Sequence, residues 1–258
     1  MKNICKDLAD EQATLDDLVK DLDEAGWQTV TSFYGWSIKD EISHLAYFDR
    51  AAFLAATDAK AFGKDVENMI KGFTTYDDMH DKVNSVGRAL SNVDLLSWWR
   101  KERAQLIKGF LSVDPKTRLP WYGPPMTAKS SATARIMETW AHGQDIVDVL
   151  KASRPGTDRL KHIAHIGVST FSWSFKNREI EVPDQQVRVE LSSPSNELWT
   201  WGSVDAVNTI RGTAQDFCLI VTQRRRIADT ELECKGDIAK KWMSIAQAFA
   251  GPPEDGPE

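Results

Sequence analysis

Apolar residues recur at three- and four-residue spacings through the first part of the chain. Over residues 4–25, Leu8, Leu15, Leu18, Val19 and Leu22 form one stripe that ends at Gly26, predicting an amphipathic helix with a glycine stop. After a turn-rich stretch around Tyr34-Gly35-Trp36, Ser37 with Asp40 three residues on reads as an N-cap with an acidic first turn. A second helix is expected over 38–56, with Ile38, Ile42, Leu45, Phe48, Ala52 and Phe53 as its inward stripe and His44 at the stripe's border. Residues 58–90 are polar and weakly periodic, and predict one or two short helices lying over a bundle. Leu95, Leu96, Trp99, Ala104, Leu106 and Ile107 predict a long helix over 93–111, stopped by Asp114-Pro115. Trp121-Tyr122-Gly123-Pro124-Pro125-Met126 must be a loop, either a plain connector or the wall of a pocket. Thr127 or Ser130 can cap a fourth helix that continues to about Lys151.

Arg154-Pro155-Gly156 separates this helix from a fifth, expected over 158–176. The pattern then changes to alternation. Val187-Arg188-Val189-Glu190-Leu191 and Leu198-Trp199-Thr200-Trp201 read as strands on either side of a Ser-Pro-Ser-Asn turn, and residues 206–210 as a third strand. A helix over 213–222, an extended piece at Leu232-Glu233-Cys234 and a closing helix over 238–250 complete an α+β segment. The expected organisation is a helical bundle over residues 1–155, a fifth helix with a small α/β domain over 156–250, and a disordered tail over 251–258, which is rich in proline, glycine and acid.

Composition narrows the function. The 258 residues are 41% hydrophobic and 27% charged, as in ordinary globular proteins, and the net charge of −6 disfavours nucleic acid and anionic membranes as partners. No run of eighteen apolar residues and no apolar leader is visible, so a cytoplasmic location is expected. Cys5, Cys218 and Cys234 are widely spaced and odd in number, which fits a reducing compartment and makes no CxxC motif. Any thiol in the chemistry would come from a cofactor. Most of the ten tryptophans should be core.

The candidate chemistry lies in Met137-Glu138-Thr139-Trp140-Ala141-His142. A helix returns to one face every four residues, so Glu138 and His142 project side by side and can grip one divalent ion, with His44 closing the site from another helix. Two imidazoles and a carboxylate are the ligand set of catalytic zinc and other first-row metals. The plainer alternative is a solvated helix face. Trp140 points about 200° away from Glu138 and is assigned to packing. His162 and His165 have no obvious third ligand and read as structural. Arg211, Arg224, Arg225, Arg226 and Arg135 are candidates to hold a substrate carboxylate through a bidentate fork, although the run 224–226 also reads as a solvated basic patch. Asp145 is a candidate to orient a ligand from behind.

Trp36-Ser37, Ser43-His44-Leu45 and Glu138-Thr139-Trp140-Ala141-His142-Gly143-Gln144-Asp145 together resemble the DinB/YfiT-like metalloprotein superfamily, and within it the mycothiol-dependent maleylpyruvate isomerase group. The resemblance covers about residues 5–155. Ile210-Arg211-Gly212-Thr213-Ala214-Gln215-Asp216-Phe217, with Lys235-Gly236-Asp237, is similar to the small C-terminal α/β domain of those isomerases. It implies a DinB-like four-helix bundle in which His44, Glu138 and His142 bind one divalent metal, usually zinc, facing a cavity for a low-molecular-weight thiol. It also implies an isomerase or S-transferase acting on a small electrophilic, carboxylate-bearing substrate, with Arg211 and Arg225 as candidates for the carboxylate. Because fold does not settle reaction, a hydrolase using metal-activated water and a non-catalytic ligand-binding module stay open, as do monomer and homodimer.

Overall fold

The computed structural model of the chain describes residues 1–71 and 75–253. Its architecture is α+β, in two compact units, Met1–Ser153 and Arg154–Glu258. The first unit contains helices α1 (Lys2–Val19), α2 (Glu24–Trp27), α3 (Ile38–Thr57), α4 (Ala59–Ile70), α5 (Tyr76–Arg88) and α6 (Asn92–Leu111), a strand pair β1 (Arg118–Leu119) and β2 (Met126–Thr127), and α7 (Ala128–Leu150). Helices α1, α3, α6 and α7 form the four-helix bundle, each packing on two of the others, while α4 and α5 pack along α3.

Local capping chemistry sets the helix starts. Ser37 and Asp40 form a reciprocal box, with Asp40 N–H donating to Ser37 Oγ at 3.2 Å and Ser37 N–H to Asp40 Oδ2 at 3.1 Å. Thr127, rather than Ser130, caps α7, its hydroxyl accepting from Ser130 N–H at 3.0 Å. The first helix ends at Val19, earlier than its stripe suggests. Asp23 accepts the Gly26 N–H at 2.8 Å and starts α2, so the glycine lies inside a new turn instead of closing the old one. Met126 is likewise not loop, since it pairs with Leu119 and staples the base of the proline-rich connection.

The bundle core has two apolar storeys. Leu8, Ala52, Leu106, Phe110, Ala132 and Ile136 belong to one, and Leu15, Ile42, Leu45, Leu95, Trp99 and Ile146 to the other. Between them lies a polar layer centred on Asp49, which is fully buried and accepts from Arg135 Nε at 2.9 Å, Gln12 Nε2 at 3.1 Å and Trp99 Nε1 at 3.2 Å. A buried carboxylate survives there because every neighbour donates to it. Helix α5 comes unusually close to α3. A Cβ on Gly87 would lie 2.3 Å from Ser43 Oγ, and the Gly87 N–H donates to that oxygen at 3.1 Å.

The second unit contains α8 (Leu160–Ser169), α9 (Phe171–Lys176), β3 (Val187–Ser192), β4 (Leu198–Trp201), β5 (Asn208–Thr213), α10 (Ala214–Val221), a 3₁₀ turn at Ile227–Asp229, β6 (Glu233–Lys235) and α11 (Asp237–Ile245). The sheet order is β4-β3-β5-β6, with β3 and β5 parallel and both outer pairs antiparallel. Val189, Leu191 and Ile210 are fully buried in it. The expected single helix over 158–176 is broken at Thr170, whose hydroxyl bonds the carbonyls of Ile166 and Gly167, both at 3.0 Å. The closing helix stops at Ile245 rather than near Ala250, because Gln247 N–H donates to Ser174 Oγ at 3.1 Å and Ala248 N–H to Val221 O at 2.8 Å. Of the expected disordered tail, Gly251 and Pro252 offer carbonyls to Asn177 Nδ2 at 3.1 Å and Gln247 Nε2 at 3.2 Å. The rest of that tail, residues 254–258, lies outside the described residues.

Candidate metal centre

Helical periodicity aligns Glu41, His44 and Phe48 along one ridge of α3 and Arg135, Glu138 and His142 along the facing ridge of α7. Across this seam the structure brings His44, Glu138 and His142 together, with one ligand atom from each lying within 4.8 Å of the others. Glu138 Oε2 is 3.4 Å from His142 Nε2 and 3.9 Å from His44 Nε2. Two ligand atoms each ~2.1 Å from a tetrahedral zinc stand ~3.4 Å apart. The spacing and the N, N, O donor set therefore fit one divalent ion with a position left for a further ligand.

His142 is held from behind. Its Nδ1–H donates to Glu41 Oε2 at 2.7 Å, and Glu41 Oε1 in turn accepts the Thr31 hydroxyl at 2.7 Å. Glu41 is wholly buried. This fixes the imidazole tautomer so that Nε2 faces Glu138, the arrangement that makes histidine a stronger metal ligand. Asp145, the candidate for this role from the sequence, is 3.9 Å from the same nitrogen, outside hydrogen-bond range.

Thr31 comes from a tight hairpin. Thr31 N–H bonds Trp36 O at 2.7 Å and Ile38 N–H bonds Thr29 O at 3.0 Å, with Tyr34 (φ 50°) and Gly35 (φ 68°) at the tip. A left-handed tyrosine is uncommon and stores strain. The hairpin delivers two aromatic walls: Phe33 meets the His142 ring edge-on at 5.1 Å, and Trp36 lies 5.1 Å from the His44 ring and parallel to His142 at 6.1 Å. Phe48 closes on His44 at 4.6 Å. Tyr122, from the loop between β1 and β2, packs on Phe48 at 5.5 Å, so that loop reaches within one ring of the ligand set.

Burial separates the two histidines electrostatically. Desolvation dominates at His44 and pulls its pKa down to about 3, leaving it neutral and ready to coordinate. At His142 burial acts in the same direction, but hydrogen bonds and charge from Glu138 and Glu41 outweigh it and raise the pKa. Glu138 is held well below the usual carboxylate range, its burial outweighed by the two histidines and the nearby Arg135. Burial also pushes Glu41 up to about 7, so the metal-free pocket holds a proton in the hydrogen-bonded His142–Glu41 pair, with His142 the more basic partner.

The remaining candidates have partners of their own. Arg135 is buried on Asp49, so its guanidinium is committed to the polar layer and not presented as a carboxylate fork. Arg211, on β5, is exposed and ion-pairs with Glu190 at 2.7 Å. Arg225 is half-buried and donates to the Arg224 carbonyl at 2.7 Å. Arg224 is itself buried and bonds Thr222 O, so the run 224–226 is not uniformly solvated. Cys5 and Cys218 are buried, and all three thiols are pushed up by desolvation, the opposite of an activated nucleophile. Trp140 is buried, as its helix position predicts.

Sequence reasoning missed Glu41, Thr31 and Phe33. The available signal was the i, i+3 spacing of Glu41 and His44, but Asp145, three residues beyond His142, offered the same kind of carboxylate in sequence. Glu41→Gln retains the shape and loses the charge, so it should weaken metal binding by roughly 10- to 100-fold. Competition titration with a metal-chelating dye checks this, and unchanged affinity would remove Glu41 from the centre.

Residues 8–147 match the family described as the mycothiol maleylpyruvate isomerase N-terminal domain. Uncharacterized proteins from two strains of Mycobacterium tuberculosis are each 42% identical over 250 residues, covering 97% of this chain and 96% of the relative. Among solved structures, the mycothiol-dependent maleylpyruvate isomerase aligns with TM-score 0.57 at 14% identity, over 87% of this chain and 89% of its own. A histidine-to-alanine mutant of that enzyme aligns with TM-score 0.59 at 14% identity, over 90% and 92%. These solved structures share the fold, and no helix among the described residues is long and apolar enough to cross a membrane. The chain belongs to the mycothiol maleylpyruvate isomerase N-terminal domain family.

Proposed function

We propose that the protein is a thiol-dependent isomerase or S-transferase for a small electrophilic, carboxylate-bearing substrate, working at a divalent metal, most simply zinc, held by His44, Glu138 and His142. The observation that carries this reading is the converging ligand set with Glu41 locked behind His142. A bound cation would lower the pKa of a thiol and supply a thiolate at neutral pH. Glu41 keeps His142 aimed, and Phe33, Trp36 and Phe48 pack against the two imidazoles, lowering the local polarity so that charge acts more strongly across the seam than in water. Thiolate addition to an activated double bond leaves a single bond that can rotate; expulsion of the thiol completes isomerisation, whereas conjugation stops at the adduct. Arg211 and Arg225 are our candidates to receive the substrate carboxylate.

The test is to give the metal-loaded protein maleylpyruvate with and without mycothiol. Isomerisation or adduct formation that requires the thiol is the expected result. Thiol-independent consumption of the substrate would replace this reading with the hydrolase.

A further inference from the structure

Helix α5 places a fourth histidine beside the same aromatic wall. The His80 ring meets Trp36 edge-on at 5.1 Å and Tyr34 at 5.1 Å, and Trp36 is the residue that contacts His44 and parallels His142. The close passage of Gly87 over Ser43 and the ion pair of Arg88 with Asp40 at 2.6 Å dock α5 on α3 immediately before His44. One turn beyond His80 on the same face, Asn84 is fully buried, and neither its amide nitrogen nor its amide oxygen has a hydrogen-bond partner. Its backbone carbonyl accepts the Ser43 hydroxyl at 3.3 Å, one residue from His44. His44 Nδ1 is also buried and unpartnered. Buried polar atoms ordinarily find partners. An apolar bundle wall would place leucine at 80 and 84, whereas this helix turns an imidazole and an unsatisfied amide toward α3.

We propose that His80 is a catalytic residue of this site, donating a hydrogen bond to the carbonyl oxygen of the substrate while a thiolate adds to the conjugated double bond, with Asn84 extending the same polar wall. The inference rests on the thiol-addition reading above. The step balances without any further reactant. The sulfur lone pair forms the C–S bond, the alkene π pair becomes the new C=C bond of the enolate, the carbonyl π pair moves onto oxygen, and His80 N–H stabilises that enolate oxygen. The pair returns after rotation, re-forming the double bond and expelling the thiolate. Burial lowers the His80 pKa, outweighing the opposing charge of Asp77 and Asp81, with the nearby His142 charge acting in the same direction as burial, so the side chain meets the substrate as a neutral imidazole that carries one N–H.

The experiment compares wild type, His80→Phe and His80→Gln, all metal-loaded, with maleylpyruvate and mycothiol. We expect His80→Phe to retain its metal and its mycothiol affinity while kcat falls about a hundredfold with little change in KM, and His80→Gln, which keeps an N–H donor, to recover part of the loss. Wild-type kcat in His80→Phe overturns the proposal, as does loss of metal or thiol binding in that variant, which would make His80 structural. A wild type that never turns over removes the thiol-addition reading, and His80 is then judged by its ring ¹⁵N resonances in the metal-loaded protein. A shift on adding maleylpyruvate supports contact with the substrate, and no shift overturns it.

Discussion

Replacing His142 with alanine should abolish stoichiometric metal binding. The wild-type chain is expected to hold about one divalent ion, as a three-residue protein ligand set with one open position does. His142→Ala deletes one of the three ligands and also strands Glu41, which loses the imidazole at 2.7 Å and keeps only Thr31. Because loss of an outer-shell partner alone costs up to ~100-fold, loss of the ligand should exceed that. Metal analysis after gel filtration should find the variant empty, and full occupancy would sink the site. The same residue sets the pH dependence. In the metal-free pocket its pKa is raised by Glu138 and Glu41 against the opposing effect of burial, so at neutral pH an incoming cation must displace a proton. Affinity should therefore rise with pH up to that raised pKa and fall by about tenfold for each pH unit below it. A pH-independent affinity between 6 and 8 would mean that no such proton is displaced.

Asp49→Ala should be the most destabilising single substitution in the bundle. It removes the carboxylate that neutralises Arg135 and accepts from Gln12 and Trp99, leaving a buried cation and two orphaned donors between the apolar storeys. Breaking a buried ion pair in this way costs about 3–5 kcal/mol, which for a unit of this size lowers Tm on the order of 10 °C. The double variant Asp49→Leu, Arg135→Met replaces the pair with apolar volume and should recover much of that loss. Calorimetric melts of the three proteins decide it. If Asp49→Ala melts within about 2 °C of wild type, the layer carries little energy. Arg135 precedes Glu138 by one turn and contributes to holding it ionised, so the double variant should also bind metal more weakly than wild type while melting near it.

Much of the bundle was legible because its signals are local. The stripe Ile38, Ile42, Leu45 and the box Ser37 with Asp40 specify α3 within a few residues, and Thr127 does the same for the start of α7. Glu138 and His142 could be paired on paper because four residues make a turn. His44 could be proposed because it borders an inward stripe. The errors fell where a distant or competing bond overrode local pattern: Asp23 captured Gly26, Thr170 broke the fifth helix, and Ser174 and Val221 drew the chain out of the last one.

By itself the sequence determined the long bundle helices, the capped starts of α3 and α7, and the pairing of Glu138 with His142 on one helix face, since periodicity and capping act within a few positions of the chain. Only the tertiary structure decided that Glu41 rather than Asp145 orients His142, that Arg135 is spent on Asp49, and that the strained hairpin tip and α5 bring Phe33, Trp36 and His80 to the same seam. Those choices depend on which helix faces pack together, at separations of tens of residues where no local pattern distinguishes one buried carboxylate or histidine from another.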